Sequence, residues 1–120
     1  MAVETETRSA VERFNIALDA KDFDGLAAAM TEDCVFEDTD PRPDGTRFEG
    51  RAAVLDFFRG ASGTSRFALE EPLLVIGDRC LMRWDHRWVR GGVEGNNRGV
   101  DIFRVRDGLV CEKLSYTKSG

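Results

Sequence analysis

Apolar and polar positions change period about halfway along the chain. In the first half Val3, Thr7, Ala10, Val11, Phe14, Ala17 and Leu18 recur at helical spacing, which predicts a first helix over residues 3–19 with Phe14 on its buried face. Asp22 is placed to cap a second, shorter helix that carries Phe23, Leu26, Ala27 and Met30 and ends near Thr31. Residues 34–38 read as a short strand, stopped by Pro41 and Pro43, with Asp44-Gly45 as a turn. Residues 39–48 then form an irregular loop beside the mouth of any cavity. A third helix is expected over 50–58 with Gly60 at its C-terminal end, and 61–65 as a flexible connector. The second half alternates instead. Strands are expected over 66–76 (bent near Pro72), 79–90, 96–106 and 109–117. Helices first and an antiparallel sheet after them predict an α+β fold: a cone-shaped, curved, mostly antiparallel sheet packed against three N-terminal helices. Such a cone leaves a hollow suited to a ligand.

Alternation also assigns faces. Asp107-Gly108, between two β-rich runs, is the signal of a two-residue hairpin turn, because both positions need positive φ. Counting back from it, Asp101 shares a face with Phe103 and Val105, an odd place for a carboxylate. In the strand over 79–90 one face carries Cys80, Met82, Trp84, His86 and Trp88, and the other Leu81, Arg83, Asp85, Arg87 and Val89. The aromatic set must face the helices, which puts the only histidine between two tryptophans. Lys113 alternates with Cys111 and Ser115 and points inward if Cys111 does. The opposite register, with Tyr116 inside, stays open. With Lys113 inward, Leu114 and Tyr116 join Val100 and Ile102 on an outer face apolar enough to predict a homodimer.

Size and charge narrow the function classes. The 120 residues suit one domain spanning 1–120, with 42% hydrophobic residues to build its core. The formal charge of −5 is spread without a basic block, which argues against nucleic acid as partner. No apolar run spans a bilayer, and the polar, acidic start does not resemble a signal peptide, so no membrane partner and a cytoplasmic location are expected. Cys34, Cys80 and Cys111 each fall in a strand without metal-ligand spacing, and read as buried free thiols; neither metal nor cofactor is expected.

Three residues are candidates for catalysis. Asp38, where the first strand meets the proline loop, is either a turn-initiating residue or a general base. Asp101, if buried, favours its neutral form and can donate to developing oxyanion charge, or else it satisfies nearby backbone, His86 or Lys113. His86 is a hydrogen-bonded core residue or a proton-transfer group. Phe14, Met82, Trp84, Trp88, Phe103 and Lys113 are the candidate walls for a small hydrophobic substrate.

The chain resembles the nuclear-transport-factor-2-like superfamily, in its ketosteroid-isomerase-like and SnoaL-like polyketide-cyclase group. The resemblance is carried by AVERFNIALDAKDFDGL, CVFEDTDP and GVDIFRVRDGLV. It implies that Asp38 matches the isomerase base and Asp101 the protonated acid of the oxyanion hole. Phe14 stands at the tyrosine position and lacks the hydroxyl. The expected function is a cofactor-free isomerase or cyclase that abstracts a proton next to a carbonyl of a polyketide- or steroid-like molecule. The alternatives are a dehydratase or hydrolase using His86 and Asp38, or a non-catalytic ligand-binding or dimeric assembly module.

Overall fold

The computed structural model describes residues 2–61 and 66–118. Most of the expected connector, 62–65, lies outside them. Helix α1 (Ala2–Asp19) turns Thr7, Ala10, Val11, Phe14 and Ala17 into the core, as its spacing requires. Helix α2 (Phe23–Ala28) is capped by Asp22, whose carboxylate accepts from the Gly25 amide at 3.0 Å. It ends earlier than its apolar positions suggest. The Ala29 carbonyl accepts from the Val110 amide at 2.9 Å, and Met30 pairs with Val110, so the sheet captures residues that local propensity leaves to the helix. Strand β1 (Met30–Glu37) therefore starts four residues before the expected one and stops just short of Asp38.

Inside the proline loop a three-residue strand, β2 (Arg47–Glu49), pairs antiparallel with β1. Helix α3 (Arg51–Gly60) buries Val54, Leu55 and Phe58. The run expected over 66–76 is two strands, β3 (Arg66–Leu69) and β4 (Leu74–Ile76), both paired with β5 (Arg79–Arg90). Pro72, without an amide hydrogen, falls in the gap. Strand β6 (Val93–Arg106) begins three residues earlier than expected, because its pairing with β5 runs unbroken from Val93 opposite Arg90 to Arg104 opposite Arg79.

The described residues form one seven-stranded sheet, ordered β2-β1-β7-β6-β5-β3, with β4 also on β5. Only β1 and β7 (Leu109–Thr117) run parallel. The sheet is curved and unclosed, with the helices in its concavity. Asp107 and Gly108 have φ of 55° and 75°, the left-handed pair a tight hairpin turn requires. Val105 pairs with Val110, but Arg104 pairs with Glu112, so Cys111 is the extra residue of a β-bulge. Beyond it Lys113 sits opposite Phe103 and Ser115 opposite Asp101. Lys113 thus faces inward, and Tyr116 outward at 51% exposure.

Candidate functional site

The concave face reads as rows running across the strands. One row holds Phe36 of β1, Lys113 of β7, Phe103 of β6 and Cys80 of β5. In the next row Ser115, Asp101 and Met82 pair in turn, and β1 extended by one residue would bring Asp38 beside Ser115. Asp38 and Asp101 thus belong to one row two strands apart, roughly 10 Å at ordinary strand spacing. His86 does not join them. It pairs with Asn97, four residues along β5 from Met82, roughly 13 Å, with Trp84 between.

Asp101 is buried, as its place beside Phe103 and Val105 demands. Its Oδ1 accepts from Trp84 Nε1 at 3.0 Å, and its Oδ2 lies 3.7 Å from Lys113 Nζ. Both oxygens face donors, so Asp101 is engaged from two sides. The Lys113 ammonium lies 5.0–5.7 Å from the ring centroids of Phe14, Phe36, Phe58 and Phe103. Four aromatic faces and one carboxyl thus hold a charge that water hardly reaches. Phe36 and Phe58 were not among the sequence candidates. Phe36 had a signal, its place two residues before Asp38 and hence on the same face. Phe14, at the position where the resemblance implies a hydroxyl, presents its ring to Lys113 instead, with a centroid 5.3 Å from Nζ.

Asp38 is half-buried just past the end of β1. Its amide donates to the Thr46 carbonyl at 2.9 Å, which folds the proline loop back over it. The loop closes this tightly because residue 45 is glycine: with φ of 75°, a Cβ there would stand 1.7 Å from the Asp38 carbonyl oxygen. Burial pushes the Asp38 carboxyl pKa up, and a hydrogen bond from the Thr39 amide and, to a lesser degree, the Lys113 charge pull it partly back. A carboxylate raised in this way is a better proton acceptor from carbon than an exposed one.

His86 stacks on Phe67, with centroids 4.1 Å apart and planes within 3°, and touches Trp84 and Trp88 at 6.3 and 5.2 Å. Burial pushes its pKa down, and the Asn97 amide opposes this. Met82 accepts at sulfur from Asn15 Nδ2 at 3.2 Å, and the Arg90 guanidinium lies 5.8 Å from the Trp88 ring. All three cysteines are free and buried, with the thiols of Cys34 and Cys80 pushed up to about 12 and about 11 by burial, which leaves them unreactive. Among the described residues no cluster of three acidic, histidine or cysteine side chains is arranged to hold a metal ion, and no helix is long and apolar enough to cross a membrane.

A family model described as a SnoaL-like domain matches residues 11–113, which takes in every strand that lines this concavity except part of the last. The chain belongs to the SnoaL-like family. No curated protein matches it significantly. This SnoaL-like chain is similar to a nuclear-transport-factor-2-like protein of unknown function from Mesorhizobium loti, with 34% identity over 97% of this chain and 93% of that one and a TM-score of 0.84. It is also similar to a Mycobacterium tuberculosis protein solved in complex with estradiol-17beta-hemisuccinate, at 26% identity over 89% of each chain, with a TM-score of 0.73. A proposed ketosteroid isomerase from Kribbella flavida, at 22% identity over 98% of this chain and 81% of that one, shares the fold with a TM-score of 0.81.

Proposed function

We propose that this SnoaL-like protein is a cofactor-free proton-transfer enzyme of the isomerase or cyclase type, acting next to a carbonyl of a small apolar, ring-bearing substrate. Asp38 is the base. It takes a proton from the carbon beside the carbonyl, and the electron pair of that C–H bond moves onto the carbonyl oxygen. The Lys113 ammonium stabilises the enolate, which is worth most in a site from which water is excluded. Asp101 and Trp84 are positioning residues that hold Lys113. The proton then returns from Asp38 to another carbon of the conjugated system. Alternatively, the enolate carbon attacks a second carbonyl, whose π electrons move to its oxygen, and that oxygen takes the proton back from Asp38. One observation carries the reading: Asp38, its pKa raised by burial, lies one row from Lys113 on the adjacent strand. The steroid derivative bound by the Mycobacterium tuberculosis relative supports a ring-bearing ligand.

A second reading is a ligand-binding module without chemistry. The engagement of Asp101 by Trp84 and Lys113 favours it, because an ion pair sealed in this way also serves stability alone. Dehydration or hydrolysis by His86 with Asp38 has less support, since the register separates them. The test is deuterium exchange into a β,γ-unsaturated ring ketone, followed by NMR. Exchange well above buffer, lost in both Asp38→Asn and Lys113→Met while the ketone still binds, is expected. Binding without exchange in the wild-type protein would leave the module reading in its place.

A further inference from the structure

Ser115 stands between the two aspartates in the row that crosses the concave face. It pairs with Asp101 across β6 and β7, and β1 extended by one residue would set Asp38 on its other side. Opposed residues of an antiparallel pair share a face, with Cβ atoms about 5 Å apart, so the Ser115 hydroxyl and the Asp101 carboxyl enter the concavity together. Lys113 lies two residues earlier on β7 and shares that face. Its Nζ extends beyond its own row, because it lies 3.7 Å from the carboxyl that Ser115 opposes. Ammonium and hydroxyl thus border the same side chain.

The hydroxyl is uncommitted. Among the described residues nothing hydrogen-bonds the Ser115 hydroxyl, whereas Asp101 is held from two sides. It is also reachable. In its own row and in the row of Lys113 the half-buried residues are Asp38 and Ser115, and the rest are buried. The Lys113 ammonium is closed in by four buried rings and by Asp101, so a ligand approaches it from the side of Asp38 and Ser115. An ammonium carries three N–H donors and Asp101 lies to one side of it, so donors remain for that ligand.

We infer that the Ser115 hydroxyl donates to the same ligand oxygen as the Lys113 ammonium, and that the oxygen they select is anionic, as in an enolate or a phenolate. Hydrogen bonds to an ionised acceptor are about twice as strong as neutral ones, so two donors on one oxygen favour an oxyanion over a ketone or an ether. Ser115 is thereby a catalytic residue, touching the oxygen that gains charge as Asp38 takes the proton. The inference rests on the proposed role of Lys113 and adds a second donor to it.

The probes are para-nitrophenol, whose absorbance separates phenol from phenolate, and para-nitroanisole, its neutral methyl ether. The wild-type protein is expected to bind the phenolate, and Ser115→Ala to bind it at least about tenfold more weakly while holding the ether equally well. Ser115→Thr, which keeps the hydroxyl, should restore phenolate binding. In the deuterium exchange of the unsaturated ketone, Ser115→Ala should lose about a hundredfold in kcat with KM within about twofold. Phenolate binding that is absent from the wild type, unchanged in Ser115→Ala or unrestored in Ser115→Thr overturns the inference, and so does an equal loss for both probes, which marks a merely structural serine. The two ideas fail separately. A wild-type protein without exchange, whose phenolate binding still needs Ser115, removes the enzyme and keeps the pair of donors. Exchange that Ser115→Ala leaves intact removes the second donor and keeps the enzyme.

Discussion

The Lys113 ammonium lies 3.7 Å from the Asp101 carboxyl, with the two side chains only 8% and 5% exposed. An ion pair this far from water gives little net stability, but removing one member leaves the other uncompensated. Lys113→Met is therefore expected to cost about 3–5 kcal/mol. Lys113→Met/Asp101→Asn, which keeps an acceptor for Trp84 Nε1, should recover most of that loss. Urea unfolding of the two variants checks this, and equal destabilisation would mean that the charges are not coupled.

Asp38 ties stability to pH with a definite sign. Burial raises its folded-state pKa above the ordinary 3.8, so its favourable contribution is complete below the unfolded value and is lost as pH rises through the folded one. Asp38→Asn cannot ionise. Relative to wild type it should gain stability between about pH 3 and about pH 7. Unfolding midpoints at the two pH values measure the change, and a constant difference would show that Asp38 titrates like an exposed carboxyl.

Gly99 supports the site from behind. A Cβ there would stand 2.1 Å from the Tyr116 carbonyl oxygen and 2.4 Å from the Trp84 ring. Gly99→Ala must push backbone and indole apart, with an expected cost of about 1–3 kcal/mol and a loosened Trp84–Asp101 hydrogen bond. A lower melting temperature together with a shifted indole N–H resonance is the expected result; the first without the second would place the strain in β7 instead.

The outer sheet face bears on assembly. Val100, Ile102 and Leu114 are only partly buried there, Tyr116 is 51% exposed, and a groove of about 440 Å³ runs past Leu81, Val100 and Tyr116 between Arg83 and Arg98. We propose that a second copy of the chain covers this face. Sedimentation should give a dimer at micromolar concentration and a monomer for Ile102→Glu. A wild-type monomer would refute it.

The fold was legible in the sequence because its signals were local and agreed with one another. The spacing around Phe14, the Asp22 cap and the Asp107-Gly108 turn each act within a few residues. Errors arose where a distant strand decided, as when β7 draws Met30 out of α2. The site was partly legible. Alternation placed Asp101 inward but left the facing of Lys113 open, which the bulge at Cys111 decides, and the rings of Phe36 and Phe58 around Lys113 depend on how separate elements pack. Alternation also put His86 on the right face but gave no measure of its distance from Asp101, because it carries no register between strands.

The bulge at Cys111 has a consequence for which sequences this fold tolerates. Were β7 regular from Val110 onward, Glu112 would stand opposite Phe103 and enter the ring of phenylalanines, while Lys113 would turn to solvent. One uncounted residue thus sets the polarity of the interior. Insertions and deletions are commonly harmless in loops, yet here a change of one in strand length would exchange a cation for an anion at the molecule's centre. The stretch from Val110 to Lys113 should accordingly accept changes of residue far more readily than changes of length.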